Sequence, residues 1–543
     1  MRNLDSRFSE NPTSLEISRS KFTRACSVKT SFNTGDLVPF YIDEVLPGDT
    51  FSIDDSKVVR LSTLLTPIMD NLYLDTYYFF VPDRLVWDHW KEFNGENTES
   101  AWYPKVEYSI PQITAPAGGW TVGTLADYFG LPINVPNLSV SALPFRAYAL
   151  ICNEWFRDQN LTDPLFVDTS DVTTPGSNGD KDVDIVKGGK PFKVAKYHDY
   201  FTSCLPAPQK GPDVLLPLGN EAPVRALSKT HTLGDDWIRF VKREDGKPAV
   251  GFVGLDNGIL AQGVSTDGST FSSSGGIEPN NLFADLSLAT GSSINQLRLA
   301  FQIQKLYERD ARGGTRYTEI LQSHFGVTSP DSRLQRPEYL GGNRKPINVT
   351  QVVQQSATVT DSPQGNTSAY SLTIDNENAF TKSFVEHGFV IGLMCVRYDH
   401  TYQQGIERFW SRKNRFDFYW PVFANIGEQA VLNKEIYAQG SDKDSEVFGY
   451  QEAWADYRYK PSRASGYMRS TAPTSLDVWH LGDKYTSLPH LSDSWIREDG
   501  KIVDRVITVS SDITHQFFAD VFIRNDSVRP MPVYSVPGLI DHH

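Results

Sequence analysis

Two stretches of this 543-residue chain set cations among flat rings in a way that could do chemistry. In RFWSRKNRFDFYW, residues 408–420, Arg408, Arg412, Lys413 and Arg415 are interleaved with Phe409, Trp410, Phe416, Phe418, Tyr419 and Trp420. YRYKPSRASGYMR, residues 457–469, repeats the theme with Arg458, Lys460, Arg463 and Arg469, three tyrosines and no acid. A guanidinium pairs with phosphate while an unstacked base lies on an aromatic face, so the mixture suits single-stranded nucleic acid. Core or interface rings with solvated charges between them would give the same composition.

A third stretch, MDNLYLDTYYFFVPDRLVWDHWKEFNGEN (69–97), carries eight rings in 29 positions, threaded with acids, amides and a histidine. Its Trp87 and Trp90, with Trp102 and Tyr103 a little further on, are of the types that anchor subunit contacts, because a ring buries much area at small entropic cost. Packing under a loop of the same chain is the competing reading.

Catalytic templates are missing. No HExxH, GxSxG, GxxxxGK[ST], GxGxxG or EF-hand loop occurs, and the SxxK match in SRSK (18–21) lies in a polar segment. His89, His198 and His400 each adjoin an aspartate, a step found in some hydrolase sites but more often on a strand edge or helix surface. Asp54-Asp55 and Asp235-Asp236 read as turn chemistry. Cys26, Cys152, Cys204 and Cys395 are far apart with no CxxC pair, which argues against a zinc site and a secreted disulfide framework and for a reducing compartment. No enzyme activity, cofactor or metal is expected.

The elements that would carry these residues are mostly strands. DLVPFYIDEVLPGDTFSI (36–53) reads as strand, Pro-Gly-Asp turn and strand, and SKVVRLSTLLTPI and NLYLDTYYFFVP follow as β-branched or aromatic strands. The spacing of Val86, Trp90 and Phe93 predicts a short amphipathic helix capped by Asp83 and stopped at Asn94-Gly95. A longer helix is predicted over 293–312, with Leu299, Ile303 and Leu306 on one face and Arg298, Lys305, Arg309 and Arg312 on its solvated side. Strand signal returns in PINVTQVVQQSATV, FVEHGFVIGLMCVRY and ITHQFFADVFIRND. Residues 168–190 and 218–281 are loop-like; in 251–276, twelve of 26 residues are Gly or Ser. Strands at both ends with long excursions and two helices predict an all-β sandwich, not a doubly wound α/β fold.

Composition bounds the function. With 39% hydrophobic and 12% aromatic residues the chain can bury a large core, and a net charge of −14 gives no whole-chain attraction for DNA or an anionic membrane, so any nucleic-acid contact must be local. The longest strongly apolar run, FVIGLMCV (389–396), is too short to span a bilayer.

The blocks FNTGDLVPFYIDEVLPGDTF, MDNLYLDTYYFFVPDRLVWDHWKEFNGEN, NQLRLAFQIQKLYERDARGGTRYTEILQSHFGV, RLQRPEYLGG, TYQQGIERFWSRKNRFDFYWP, FGYQEAWADYRYKPS and VRPMPVYSVPGLIDHH closely resemble the major capsid proteins of the gokushoviruses, within the Microviridae. These are small, tailless icosahedral phages with circular single-stranded DNA. The resemblance implies a single eight-stranded jelly-roll β-sandwich with very long interstrand loops and a few helices. It also implies a homo-oligomer of sixty copies forming a T=1 shell, present in the virion, assembled in the host cytoplasm and without membrane insertion. It further implies a protrusion at the threefold axes that meets a host-surface receptor. Family members pack the single-stranded DNA genome against the inner surface with a small basic DNA-binding virion protein and other minor virion proteins; the eight cations of 408–469 are candidates for that surface. The expected divisions are a basic arm (1–30), a first jelly-roll part (31–217), a surface insertion (218–281) and a second jelly-roll part with the tail (282–543). The rivals are a carbohydrate-active enzyme, which needs two carboxylates roughly 5–10 Å apart in a cleft, and a carbohydrate-binding sandwich.

Overall fold

The computed structural model describes residues 18–97, 105–212, 214, 294–360 and 363–534, together with the backbone of six short strands between 224 and 284. By backbone contacts the chain divides into two compact units, Gly211–Tyr307 and the remainder.

Nine strands build the two principal sheets of the larger unit: β1 (Ser20–Phe32), β2 (Val38–Val45), β3 (Thr50–Leu61), β4 (Leu72–Pro82), β5 (Glu338–Gly341), β6 (Arg344–Pro346), β7 (Thr373–Ser383), β8 (Gly388–Tyr398) and β9 (Phe517–Arg529). One sheet has the order β1-β9-β3-β7; the other has the order β5-β4-β8-β2, with β6 also on β4. Every pairing within them is antiparallel. The turn between β2 and β3 is the Pro-Gly-Asp turn read from the sequence: Gly48 sits at φ +91°, and the Asp49 carboxylate accepts the Leu46 N–H.

Side-chain periodicity explains the layering. Along β3 and β9 alternate residues point inward: Phe51, Ile53, Val59 and Leu61 from one, Phe517, Val521 and Ile523 from the other. They meet Leu74, Tyr78, Phe80, Val390, Met394 and Val396 of β4 and β8 in one core. The other face of β4 and β8, through Phe79, Val81, Ile391, Leu393 and Cys395, packs into a second core with helix α1, Leu143–Ile151. Buried on both faces, β4 and β8 read as nearly continuous apolar runs. The inward row of β3 also carries Asp55 and Lys57. Lys57 Nζ lies 2.6 Å from Asp55, 3.2 Å from Asp375 and 3.2 Å from Glu377, and Tyr78 donates to Asp55 at 2.6 Å. A lysine with no exposed side-chain surface is tolerable only with such compensation.

Several expectations are corrected. The described part of the presumed arm is strand β1, paired residue for residue with β9 from Ser20↔Arg529 to Phe32↔Phe517. The single amphipathic helix over 83–93 is a 3₁₀ turn, Asp83–Leu85, and a separate α turn, Trp90–Phe93. Asp83 does not cap it: its side chain is buried, and burial, with Glu44 and Glu386 nearby, pushes its carboxyl up to about 7. The long helix is present as α2, Ile294–Gly313, but among the described residues two further helices, of nine residues each, accompany it beside several single α turns: α1, and α3 at Tyr317–Phe325. Leu299 and Leu306, assigned to a covered face, are exposed.

In the smaller unit the strands form nested antiparallel pairs: Val224–Ala226 with Leu282–Ala284, Phe240–Lys242 with Ile277–Pro279, and Leu255–Asp256 with Ile259–Leu260. The backbone therefore runs out and returns alongside itself. All four cysteines are free thiols. Among the described residues no helix is long and apolar enough to cross a membrane.

Candidate nucleic-acid and subunit interface

The two basic-aromatic stretches, 37 residues apart in sequence, meet. Beneath them lies a third core, in which Tyr200, Phe201, Tyr402, Val431, Ile436 and Phe448 pack together. On this platform Thr401–Tyr402 pairs in parallel with Ser462–Arg463, joining the approach to the first stretch to the middle of the second. The chain between is held by short 3₁₀ turns, Arg408–Ser411, Arg415–Asp417 and Pro421–Asn425. Asp417 fixes the second by accepting the N–H groups of Lys413 and Asn414 at 2.7 Å each, and those bonds hold its carboxyl below the usual range.

Both stretches line one cavity of about 390 Å³. Of the eight cations, Arg408, Arg412, Lys460, Arg463 and Arg469 line it, and all five are already engaged. Arg408 donates to the Ala430 carbonyl at 3.0 Å and lies 3.6 Å from Glu435, whose own carboxyl is raised by burial despite that neighbour. Arg412 is bonded to Asp456 and stacks 4.4 Å from the Tyr457 ring. Arg458 pairs with Glu452 at 2.7 Å. Lys460 and Arg463 share Glu407, the latter at 3.2 Å, and Arg469 donates to the Gln403 carbonyl. Lys413 and Arg415 are exposed without a carboxylate partner among the described residues, and Arg415 lies 5.1 Å over the Trp420 ring.

The rings are divided. Trp454, Phe423, Tyr419 and Tyr457 pack on one another, with Phe423 stacked on Trp454 at 6.2 Å. Others face solvent: Trp410 and Phe416 are each 70% exposed and Tyr467 is 64% exposed. Exposed rings of this size are candidates for a contact surface. Trp454 and Phe423, which carry the platform's edge, were not singled out from the sequence; Trp454 stands next to the second stretch in EAWADY, the one signal that pointed to it.

The 83–93 turns place the other expected anchors. Trp87 is enclosed by its own chain, its indole N–H donating to Asp171 at 2.7 Å, so what this segment offers outward is Trp90 and the exposed Phe93. Trp90 meets His387 edge-on at 5.5 Å. Trp102 and Tyr103 lie outside the described residues.

None of the Asp-His steps makes a hydrolase pair. His89 bonds Asp171, at 3.0 Å, and that bond raises its pKa. His400 is buried between Asp483 at 3.0 Å and Glu498 at 3.3 Å. Burial alone would lower its pKa, but the two carboxylates outweigh it and push it up to about 10. A ring held doubly protonated is a structural cation, not a base. Among the described residues no three His, Cys, Asp or Glu side chains are placed to hold a metal ion.

The capsid protein VP1 of Bdellovibrio phage phiMH2K is 45% identical over 533 residues, covering 97% of this chain and 96% of that protein. The capsid protein VP1 of Spiroplasma virus 4 is 46% identical over 531 residues, 96% of each. That of Chlamydia phage 1 is 43% identical over 589 aligned positions, 99% of this chain and 98% of the relative. The family described as capsid protein (F protein) matches residues 9–539, and the chain belongs to that family of phage capsid proteins, a structural component of the virion and not an enzyme.

Proposed function

We propose that sixty copies of this chain close into a T=1 icosahedral shell around a circular single-stranded DNA genome, with the 408–469 surface turned toward the DNA. The observation that carries the inward assignment is the convergence of two distant basic-aromatic stretches on one cavity, with Trp410, Phe416, Tyr467, Lys413 and Arg415 of the same two stretches exposed. Bases would lie on the rings and phosphates on the cations. Assembly itself is mutual burial under point-group symmetry, in which many modest contacts must break together. Two sheets of four principal strands around one core support the jelly-roll reading. The nested pairs of the smaller unit, which include the 218–281 insertion, support a protrusion, for which we propose the threefold axis and a host receptor. A small basic DNA-binding protein and other minor virion proteins complete the particle in the host cytoplasm. Trp90 and Phe93 are proposed as subunit anchors, with Trp87 packed behind them; Trp102 and Tyr103 stay with them as sequence-based candidates.

The salt dependence of oligodeoxynucleotide binding tests the DNA surface. Each neutralised phosphate contributes a slope of about −0.7 on single strands, so Lys413→Ala with Arg415→Ala should flatten it by about 1.4. An unchanged slope would remove these residues from DNA contact. The carboxylates already held by the other cations favour a second reading, in which the exposed rings are buried between subunits. Electron microscopy of Trp410→Ala separates the two: intact shells with weakened DNA retention support the first, and failure to close supports the second.

A further inference from the structure

A second cavity, of about 430 Å³, is bounded by β4, β8 and the chain following α1. Its size falls in the range of small-molecule sites. One side is aromatic. Tyr77 and Phe79 lie 6.3 Å apart and nearly parallel, Phe156 meets Tyr77 edge-on at 5.0 Å, and Tyr339 tilts over Phe79 at 5.6 Å.

The other side is cationic. Arg344 and Arg397 both bond Asp75, at 2.8 and 2.6 Å, and lie over the Tyr197 ring at 4.1 and 4.3 Å. Lys196 turns away to the Trp495 ring at 4.7 Å. Arg316 donates to the carbonyls of Asn153 and Arg157 at 3.0 and 2.9 Å, with Glu319 at 3.4 Å. Arg157 differs: it donates to the Thr162 carbonyl at 2.7 Å but has no ion-pair partner among the described residues. The Nε–H groups of Arg157 and Arg316 are buried without acceptors. Asp158, the one acidic lining residue among those described, accepts the N–H groups of Asn160 and Leu161 on a single oxygen, Oδ1.

Unmet guanidinium donors are costly in a protein interior. Burial lowers the Arg157 pKa, and the adjacent Arg316 lowers it further. What Arg157 lacks among the described residues is a paired anion, although Glu154, Asp158 and Asp163 act on it from further off, and what stands beside it is a wall of rings. We infer that this cavity binds a nucleotide, its phosphate received by Arg157 and Arg316 and its base by the Tyr77, Phe156 and Tyr339 rings. A phosphate supplies Arg157 with the ion-pair partner it lacks among the described residues, and guanidinium groups match its geometry. The nucleotide can be free or part of a single strand; the chemistry is shared. The inference does not depend on the 408–469 surface.

Calorimetric titration of the purified full chain with deoxyadenosine monophosphate, deoxyadenosine, orthophosphate and a short oligodeoxyadenylate tests it. At least one nucleotide form should bind, with affinity falling about tenfold in Arg157→Gln and in Tyr339→Leu, and with deoxyadenosine and orthophosphate weaker by a similar factor. Binding of the oligonucleotide alone assigns a strand as the source; binding of the monophosphate identifies free nucleotide. Equal affinity for orthophosphate and nucleotide, absence of saturable binding, or indifference to both substitutions overturns the inference. Should Arg157→Gln fail to fold, Tyr339→Leu, at a ring 40% exposed, and the wild-type ligand series decide it. Lys413→Ala with Arg415→Ala should leave monophosphate affinity unchanged, so the two DNA-related readings fail separately.

Discussion

Strand β4 and the 408–420 stretch are almost equally rich in rings, five in 11 positions against six in 13, yet they put them to opposite uses. In β4 the backbone is bonded on both sides, to β5, β6 and β8, so side chains must alternate; Tyr78 and Phe80 enter one core and Phe79 the other. In 408–420 the Asp417 carboxylate and the proline at 421 break the chain into 3₁₀ turns with no ladder, and Trp410 and Phe416 point outward. Ring density alone therefore says nothing about burial. The backbone's hydrogen-bonding decides whether a periodic face exists, and with it whether rings can be buried together.

Substitutions on each side sharpen this contrast. The largest effect should come from Trp87→Ala, which removes a fully enclosed indole and its hydrogen bond to Asp171; a loss of about 3–5 kcal/mol is expected in denaturant unfolding. A loss under about 1 kcal/mol would mean that the segment after β4 behaves like the exposed stretch.

Asp83→Asn comes next and should stabilise. The folded carboxyl titrates near 7, above its ordinary value of 3.8, so ionisation favours unfolding progressively as pH rises from about 4 to 7. The variant should gain of order 1–4 kcal/mol above pH 7 and nothing below pH 4, read from unfolding midpoints across that range. A gain independent of pH would contradict the buried carboxyl. The smallest effect belongs to Trp410→Ala, within about 0.5 kcal/mol on the subunit's own stability, because the ring is mostly outside.

Much of the β framework was legible in the sequence, and the exceptions have physical reasons. The β2–β3 turn, β4, β8 and β9 announce themselves through alternation or continuous apolar runs closed by proline or Gly-Asp. Strand β1 does not, because it is an edge strand paired only with β9 and only one of its 13 residues, Phe32, is fully buried, so KFTRACSVKT reads as a polar arm. Helix α1 is invisible to a search for amphipathic stripes because it is buried nearly all round; even Arg146 is enclosed, bonded to the carbonyls of Val86 and Ser170. At the candidate surface the cations were legible by type and their neutralisation was not, since Glu435 reaches Arg408 only through the fold. The pairing of Arg157 with Arg316 spans 159 residues and leaves no local pattern.

The placement of β9 between β1 and β3 has a consequence for synthesis. Arg24 bonds Ser527 across 503 positions, so the first sheet lacks an inner member until residues 517–529 have been synthesised. Before that moment β1 and β3 have nothing between them, and the core they roof stays open. A chain cut short of Phe517 would be unable to complete its sheet.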